Sequence, residues 1–163
     1  MLGAKPPTDD VALLLVRPVA VLGTHLEGRW PADPTSLVQL RRTLERWLVE
    51  GGADRSEVYE IVVAASEAAT NAIEHAYGPG EAHFEVRCDL NPDDSVVTIV
   101  VRDRGQWRSP RGRDRGRGLQ LVKGLMDEAE VLTTASGTEV RLCRRLGRST
   151  AALWDSRKEQ VPT

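Results

Sequence analysis

The sequence is poor in the features that mark whole classes of protein. It has two cysteines, Cys88 and Cys143, too few and too far apart for a disulfide framework or a metal-ligand motif. Both fall at expected strand positions and read as small buried apolar residues, with a reducing cytoplasm as the default compartment. The longest apolar run, Val11 to Val16, is strand-sized, far short of the ~18 residues a membrane span needs. Residues 1–8 have no apolar segment of the kind a signal peptide carries. Aromatic residues make up 4% of the chain. The 22 Lys and Arg nearly balance the 24 Asp and Glu, and a net charge of −2 excludes a globally basic nucleic-acid binder but not a local basic patch.

What is there is globular. The 163 residues are 40% apolar and 28% charged, the balance of one folded domain with a fragment attached. A chain of this size buries roughly 70% of its unfolded surface. The first apolar run, Val11 to Val16, lies between Asp9-Asp10 and Pro18 and reads as a strand buried on both faces but without a partner. The next segment, Val19 to Leu26, either pairs with it or begins the domain proper.

Residues 33–50 read as a helix. Asp33 can cap it, Pro34 suits its first position, and Leu37, Leu40, Leu44, Trp47 and Leu48 form one apolar stripe. Gly51-Gly52 ends it. A second helix opens at Asp54-x-x-Glu57, a capping-box variant, and keeps an apolar face from Val58 to Ala76 before Gly78-Pro79-Gly80. The period then changes to two. Phe84, Val86, Cys88 and Leu90 alternate with charged residues, and Val96 to Arg102 is the other arm of a hairpin across Asn91-Pro92-Asp93-Asp94. Seven arginines from Arg102 to Arg117 mark a long loop. A short helix follows at Leu119 to Met126, then strands at Glu130–Thr134 and Thr138–Arg145. The tail from Gly147 is a polar linker. Helices followed by hairpins predict an α+β fold, a two-layer α/β sandwich with helices on one face of a mostly antiparallel sheet.

Three constellations could carry chemistry. Glu67, Asn71 and His75 are spaced by four on the second helix and share a face opposite the alanines. Carboxylate and carboxamide one turn apart suit a proton acceptor and a Mg²⁺ ligand, though a solvated helix face has the same spacing. Asp103 ends a β-branched strand, where it can accept a hydrogen bond from an exocyclic amine, and Gly105 lets a ring approach the backbone. Gly116-Arg117-Gly118-Leu119 opens the short helix and offers N–H groups to a phosphate. Each alone is an ordinary turn or helix face; their order along one chain is the stronger signal.

In that order they resemble the GHKL ATPase superfamily of gyrase, histidine-kinase and MutL type, and within it the bacterial anti-sigma-factor serine kinases. The run Glu67-Ala68-Ala69-Thr70-Asn71-Ala72-Ile73-Glu74-His75-Ala76-Tyr77 matches their N box. Val101-Arg102-Asp103-Arg104-Gly105-Gln106-Trp107 matches the first glycine box, with Trp107 where the superfamily has its last glycine. Gly116-Arg117-Gly118-Leu119-Gln120-Leu121-Val122 matches the second, and Gly137-Thr138-Glu139-Val140 the Gly-Thr strand.

The resemblance, over about residues 19–146, implies a Bergerat fold that binds ATP with Mg²⁺. It implies Glu67 as general base, Asn71 as the Mg²⁺ holder, and His75 among the nucleotide-site residues. Asp103 would sit on the adenine amino group, with Gly105 at the ring. Gly116, Gly118 and Leu119 would face the phosphates, and Thr138 would lie behind the adenine. Arg113 and Arg115 are the candidates for the γ-phosphate arginine. The implied activity is phosphorylation of an anti-anti-sigma (STAS) protein on Ser or Thr, with sequestration of a sigma factor, in a cytoplasmic homodimer that binds neither nucleic acid nor membrane. An alternative is a nucleotide-sensing binding module without phosphoryl transfer, and a third reading gives the arginine loop to RNA. Residues 9–17 resemble the last strand of a SpoIIE-type phosphatase domain. That makes 1–18 the remnant of a preceding domain, 19–146 the kinase-like domain and 147–163 a linker.

Overall fold

The structure, a computed structural model, describes residues 19–21, 23–75, 82–105, 117–134 and 136–147. The elements run β1 (Val19–Val21), β2 (His25–Pro31), α1 (Ser36–Glu50), α2 (Arg55–His75), β3 (His83–Asn91), β4 (Val96–Asp103), α3 (Arg117–Leu125), β5 (Glu128–Thr134) and β6 (Gly137–Arg145). The strands form one antiparallel sheet in the order β1-β2-β3-β4-β6-β5. The expected α+β layering is what the chain adopts. Helix α2 lies over β3, β4 and β6, flanked by α1 on one side and α3 on the other. No helix among the described residues is long and apolar enough to cross a membrane.

Helix α2 owes its start to a reciprocal cap. Asp54 Oδ1 accepts the N–H groups of Ser56 and Glu57 at 2.8 and 2.9 Å, while Glu57 Oε2 accepts the Asp54 N–H at 2.7 Å. Glu57 Oε1 also accepts the Gly147 N–H, so the end of β6 is tied to the first turn of α2. The expected linker therefore begins from a fixed point at Gly147. Inward, α2 presents Ile61, Val62, Ala64, Ala65, Ala68, Ala69 and Ala72, all buried. Helix α1 buries Leu40, Leu44, Trp47 and Leu48 as its stripe predicts. It starts at Ser36 instead of residue 33, because Asp33 Oδ1 accepts both the N–H and the hydroxyl of Thr35 and holds a turn there.

The central strands alternate, whereas the edge strand β5 is exposed almost throughout. Phe84, Val86, Cys88 and Leu90 on β3 point inward beside Asp103, Val101, Ile99 and Val97 on β4. Thr138, Val140 and Leu142 continue three of these rows on β6. Burial pushes the Cys88 thiol up, so it stays protonated and inert. The outer face carries charge, including the pairs Arg87–Asp89 and Arg102–Glu139. Burial alone would raise the Asp89 carboxyl, but hydrogen bonds from Arg87 and His25 outweigh it and hold the group below its usual range.

The β1–β2 hairpin is absent from the sequence reading, and β2 shows why. Its inward positions are Leu26, Gly28 and Trp30, and the middle one is empty of side chain. The Trp30 indole fills that space: a Cβ on Gly28 would sit 2.2 Å from its ring. Trp30 also stacks on Phe84 with centroids 6.0 Å apart. The alternation that announces a strand is thus carried by one folded-back ring. Gly28→Val is expected to destabilise the domain by about 1–3 kcal/mol, an overpacking cost. Adding Trp30→Leu should make the pair less than additive, measured by urea unfolding.

Candidate functional site

Helix α2 carries Glu67 and Asn71 half-buried, one turn apart, on the flank of its alanine face. His75 occupies the last residue of the helix, two turns on from Glu67. The chain brings α3 directly against this row. A Cβ on Gly118 would lie 2.0 Å from Glu67 Oε1, 2.8 Å from its Cδ and 3.2 Å from its Cγ. A side chain at Gly118 would have to push the end of the Glu67 side chain aside, and its absence lets the carboxyl rest against the first turn of α3. Leu119 follows and is partly exposed. No acidic residue stands in the first turn of α3. Its leading N–H groups and positive dipole end suit a negative group, and the Glu67 carboxyl already stands there.

The second part of the site is a corner of the sheet. Asp103, 8% exposed, closes β4, and its Oδ1 accepts the Gly105 N–H at 2.9 Å, which orients the carboxyl. Thr138 pairs with Asp103 across β4 and β6. Its Oγ1 is buried and has no hydrogen-bond partner among the described residues. An unmade bond at such an atom costs about 1–3 kcal/mol, so the hydroxyl is poised for a ligand or a bound water. Asp103 and Thr138 both belong to the inward rows of the sheet, under the layer that α2 occupies.

One residue that the sequence reading placed in the Gly-Thr strand without a role of its own matters here. Gly137 has φ of +138°, and a Cβ on it would sit 1.9 Å from the Asp103 carbonyl oxygen. It lets β6 close on the end of β4 and so places Thr138 against Asp103. Its one sequence signal is a glycine immediately before a strand's first threonine. Arg113, Arg115, Gly116 and Trp107 lie outside the described residues, as does the run Val11–Val16.

Among the described residues no group of three or more His, Cys, Asp or Glu side chains could cage a metal ion. Asn71 with Glu67 nearby is instead the kind of sparse oxygen donor set that Mg²⁺ accepts when phosphates complete its shell.

Comparison with known proteins bears on the fold and the family. The family profile described as "Histidine kinase-like ATPase domain" matches residues 30–144. The chain is 34% identical to the anti-sigma F factor of Pasteuria penetrans, across 55% of this chain and 69% of that protein. It is 29% identical to the serine-protein kinase RsbW of Staphylococcus epidermidis, across 66% and 78% respectively. A crystal structure of the RsbU and RsbW domains of Rv1364c from Mycobacterium tuberculosis superposes with a TM-score of 0.65 at 34% identity. That match covers 76% of this chain and 33% of the mycobacterial one. The histidine kinase domain of a blue-light activated kinase from Erythrobacter litoralis shares the fold at 19% identity and a TM-score of 0.50, over 74% of this chain and 67% of that one.

The orphaned hydroxyl gives a sharp expectation. Thr138→Val should leave unfolding free energy unchanged or higher, since it removes an unpaired buried oxygen. It should weaken adenine nucleotide binding roughly 5- to 20-fold, the effect of about one hydrogen bond. Paired urea unfolding and calorimetric titration read the two effects separately.

Proposed function

Because the chain belongs to the histidine kinase-like ATPase domain family, we propose that it is an ATP-dependent protein serine/threonine kinase of the anti-sigma type. Its acceptor is an anti-anti-sigma protein of the STAS fold, and it holds a sigma factor inactive as its second partner. The names of its relatives, an anti-sigma F factor and serine-protein kinases, support both roles. The observation that carries the chemical reading is the meeting of Glu67 with Gly118, which puts a carboxyl at the anion-binding end of α3.

Each residue then has a task. Asp103, oriented by the Gly105 N–H, accepts a hydrogen bond from the adenine amino group. Thr138 offers its unpaired hydroxyl behind the base. Gly118 and the N–H groups at the start of α3 face the phosphates, with Gly116, Leu119 and Arg115 completing that side. Asn71 holds Mg²⁺, which offsets phosphate charge when bound. His75 ends the same helix row. Glu67 accepts the proton of the acceptor hydroxyl as that oxygen bonds the γ-phosphorus and the bridging oxygen leaves with ADP. Positioning and fixed charge do most of the work.

The reading extends to context. The mycobacterial structure has an RsbU domain and an RsbW domain in one protein. This supports residues 1–18 as the end of a preceding phosphatase-like domain, 19–146 as the kinase-like domain and 147–163 as a linker onward. The working form is a cytoplasmic homodimer.

The test combines calorimetry with radiolabelled phosphate transfer to purified STAS proteins. Glu67→Gln is expected to lower transfer roughly 10²- to 10⁴-fold, the usual size of a lost general base, while ATP affinity changes by less than about threefold. Asn71→Ala should abolish the Mg²⁺-dependent part of ATP binding. Transfer undiminished in Glu67→Gln, or sigma regulation wholly intact without transfer, would replace the kinase with a nucleotide-sensing binding module.

A further inference from the structure

Strand β6 sends Thr138, Val140 and Leu142 inward, and the next residue of that row is Arg144, opposite Val97 of β4. An arginine ends the row where the alternation calls for an apolar residue. Its guanidinium spans two other elements. Nη2 donates to Glu60 Oε2 of α2 at 2.7 Å, and Nη1 donates to Asp127 Oδ1, just past the end of α3, at 3.2 Å. Asp127 is itself fastened to β6: its N–H donates to the Cys143 carbonyl at 3.0 Å, and its Oδ2 accepts the Arg145 N–H at 2.7 Å. Arg144 carries that attachment across to α2.

Glu60 precedes Glu67 by seven positions, about two turns, so the two carboxylates share one side of α2 roughly 10 Å apart along its axis. Glu67 meets Gly118 in the first turn of α3, and Glu60 is joined through Arg144 to Asp127 beyond its last turn. Helix α3 therefore runs antiparallel to α2 along this side, met at each end by a carboxylate of α2. It has nine residues, too few to hold a helix without tertiary support. Val122 is its one buried residue among those described, with Met126 just beyond it, while Leu119 and Leu121 are exposed. Apolar packing thus grips α3 lightly, and the polar tie at its far end governs how its first turn lies against Glu67.

The trio is poorly suited to adding stability. Arg144 and Glu60 are largely withdrawn from water, with side chains 27% and 26% exposed, and Arg144 Nε is buried without a partner among the described residues. The loss of hydration offsets much of the attraction between such groups. A planar guanidinium with its two terminal nitrogens on two carboxylates supplies direction instead, because it fixes the distance and angle between them. We infer that Arg144 is a positioning residue for the phosphate end of the nucleotide site. By bridging Glu60 and Asp127 it sets the start of α3, and with it the N–H groups that face the phosphates, against Glu67. The inference rests on the ATP-binding reading above and adds a residue that acts from outside the site.

Adenosine and ATP separate this role from a general loss of stability. Adenosine needs only the corner of Asp103 and Thr138, and Thr138 lies six positions before Arg144 on β6, roughly 20 Å away. ATP also needs the start of α3. In calorimetric titrations with Mg²⁺, Arg144→Gln is expected to lower ATP affinity roughly 3- to 30-fold, the range for a change acting through packed elements, with adenosine affinity within about twofold. Glu60→Gln leaves the Arg144–Asp127 arm in place and should give the same pattern, which keeps the test open if Arg144→Gln does not fold. Joined to Asp127→Asn, it should weaken ATP binding no further than the stronger single variant, because both substitutions break one bridge. Circular dichroism and urea unfolding establish that each variant is folded. Equal losses for ATP and adenosine, or a loss for ATP below about threefold, overturn the positioning role and leave the nucleotide site standing. Additive losses in the double variant overturn the bridge. Absence of ATP binding by the unaltered chain overturns the ATP-binding reading and this inference together.

Discussion

Helix α2 can lie down on β3, β4 and β6 because its inward face is largely alanine, and everything functional depends on that seating. Ala64, Ala65, Ala68, Ala69 and Ala72 are buried where larger side chains would hold the helix off the sheet. With the backbone near the strands, Glu67 and Asn71 are half-buried on the helix, and Glu67 meets Gly118 of α3. The Asp54–Glu57 cap fixes where the helix begins, and the Gly147 N–H on Glu57 ties that start to the last strand. The helix is thus set along its axis as well as across the sheet.

Glycine completes what alanine begins. Gly118 brings the start of α3 to the Glu67 carboxyl, and Gly137 brings β6 onto the end of β4. At Gly137 a Cβ would meet backbone, the Asp103 carbonyl, and at Gly118 it would meet the end of the Glu67 side chain. Next to Gly137 the buried Thr138 hydroxyl is left without a partner among the described residues. Trp30 Nε1, Ser36 Oγ, Trp47 Nε1 and Arg144 Nε are also buried without a hydrogen-bond partner among the described residues, so it is the place of Thr138 across from Asp103 that distinguishes its hydroxyl. Unspent polar capacity beside an oriented carboxyl is what a base-recognition corner requires.

Much of this was readable along the chain. The period-two alternation of Phe84 to Leu90 and the capping pair Asp54 and Glu57 are local signals, and local physics honours them. The N box and the glycine boxes pointed to the GHKL superfamily, in agreement with the family profile over residues 30–144. The β1–β2 hairpin was not readable, because at Gly28 the inward side chain is supplied by Trp30 and no pattern of residue types announces that exchange. The start of α1 slipped for a similar reason: Asp33 caps a turn at Thr35 before the helix proper begins at Ser36.

The sequence by itself determined the elements from α1 onward, their inward and outward faces, and the residue types available for nucleotide chemistry, since these follow from short-range periodicity and spacing. Tertiary structure alone decided that Glu67 touches Gly118, which is 51 positions away, and that Asp103 pairs with Thr138 across two strands. It also decided that Glu67 lines a groove shared by α1 and α2. Contacts of that kind depend on how closely whole elements approach one another. That approach is set by the summed packing of many side chains, and no local stretch of residues encodes it.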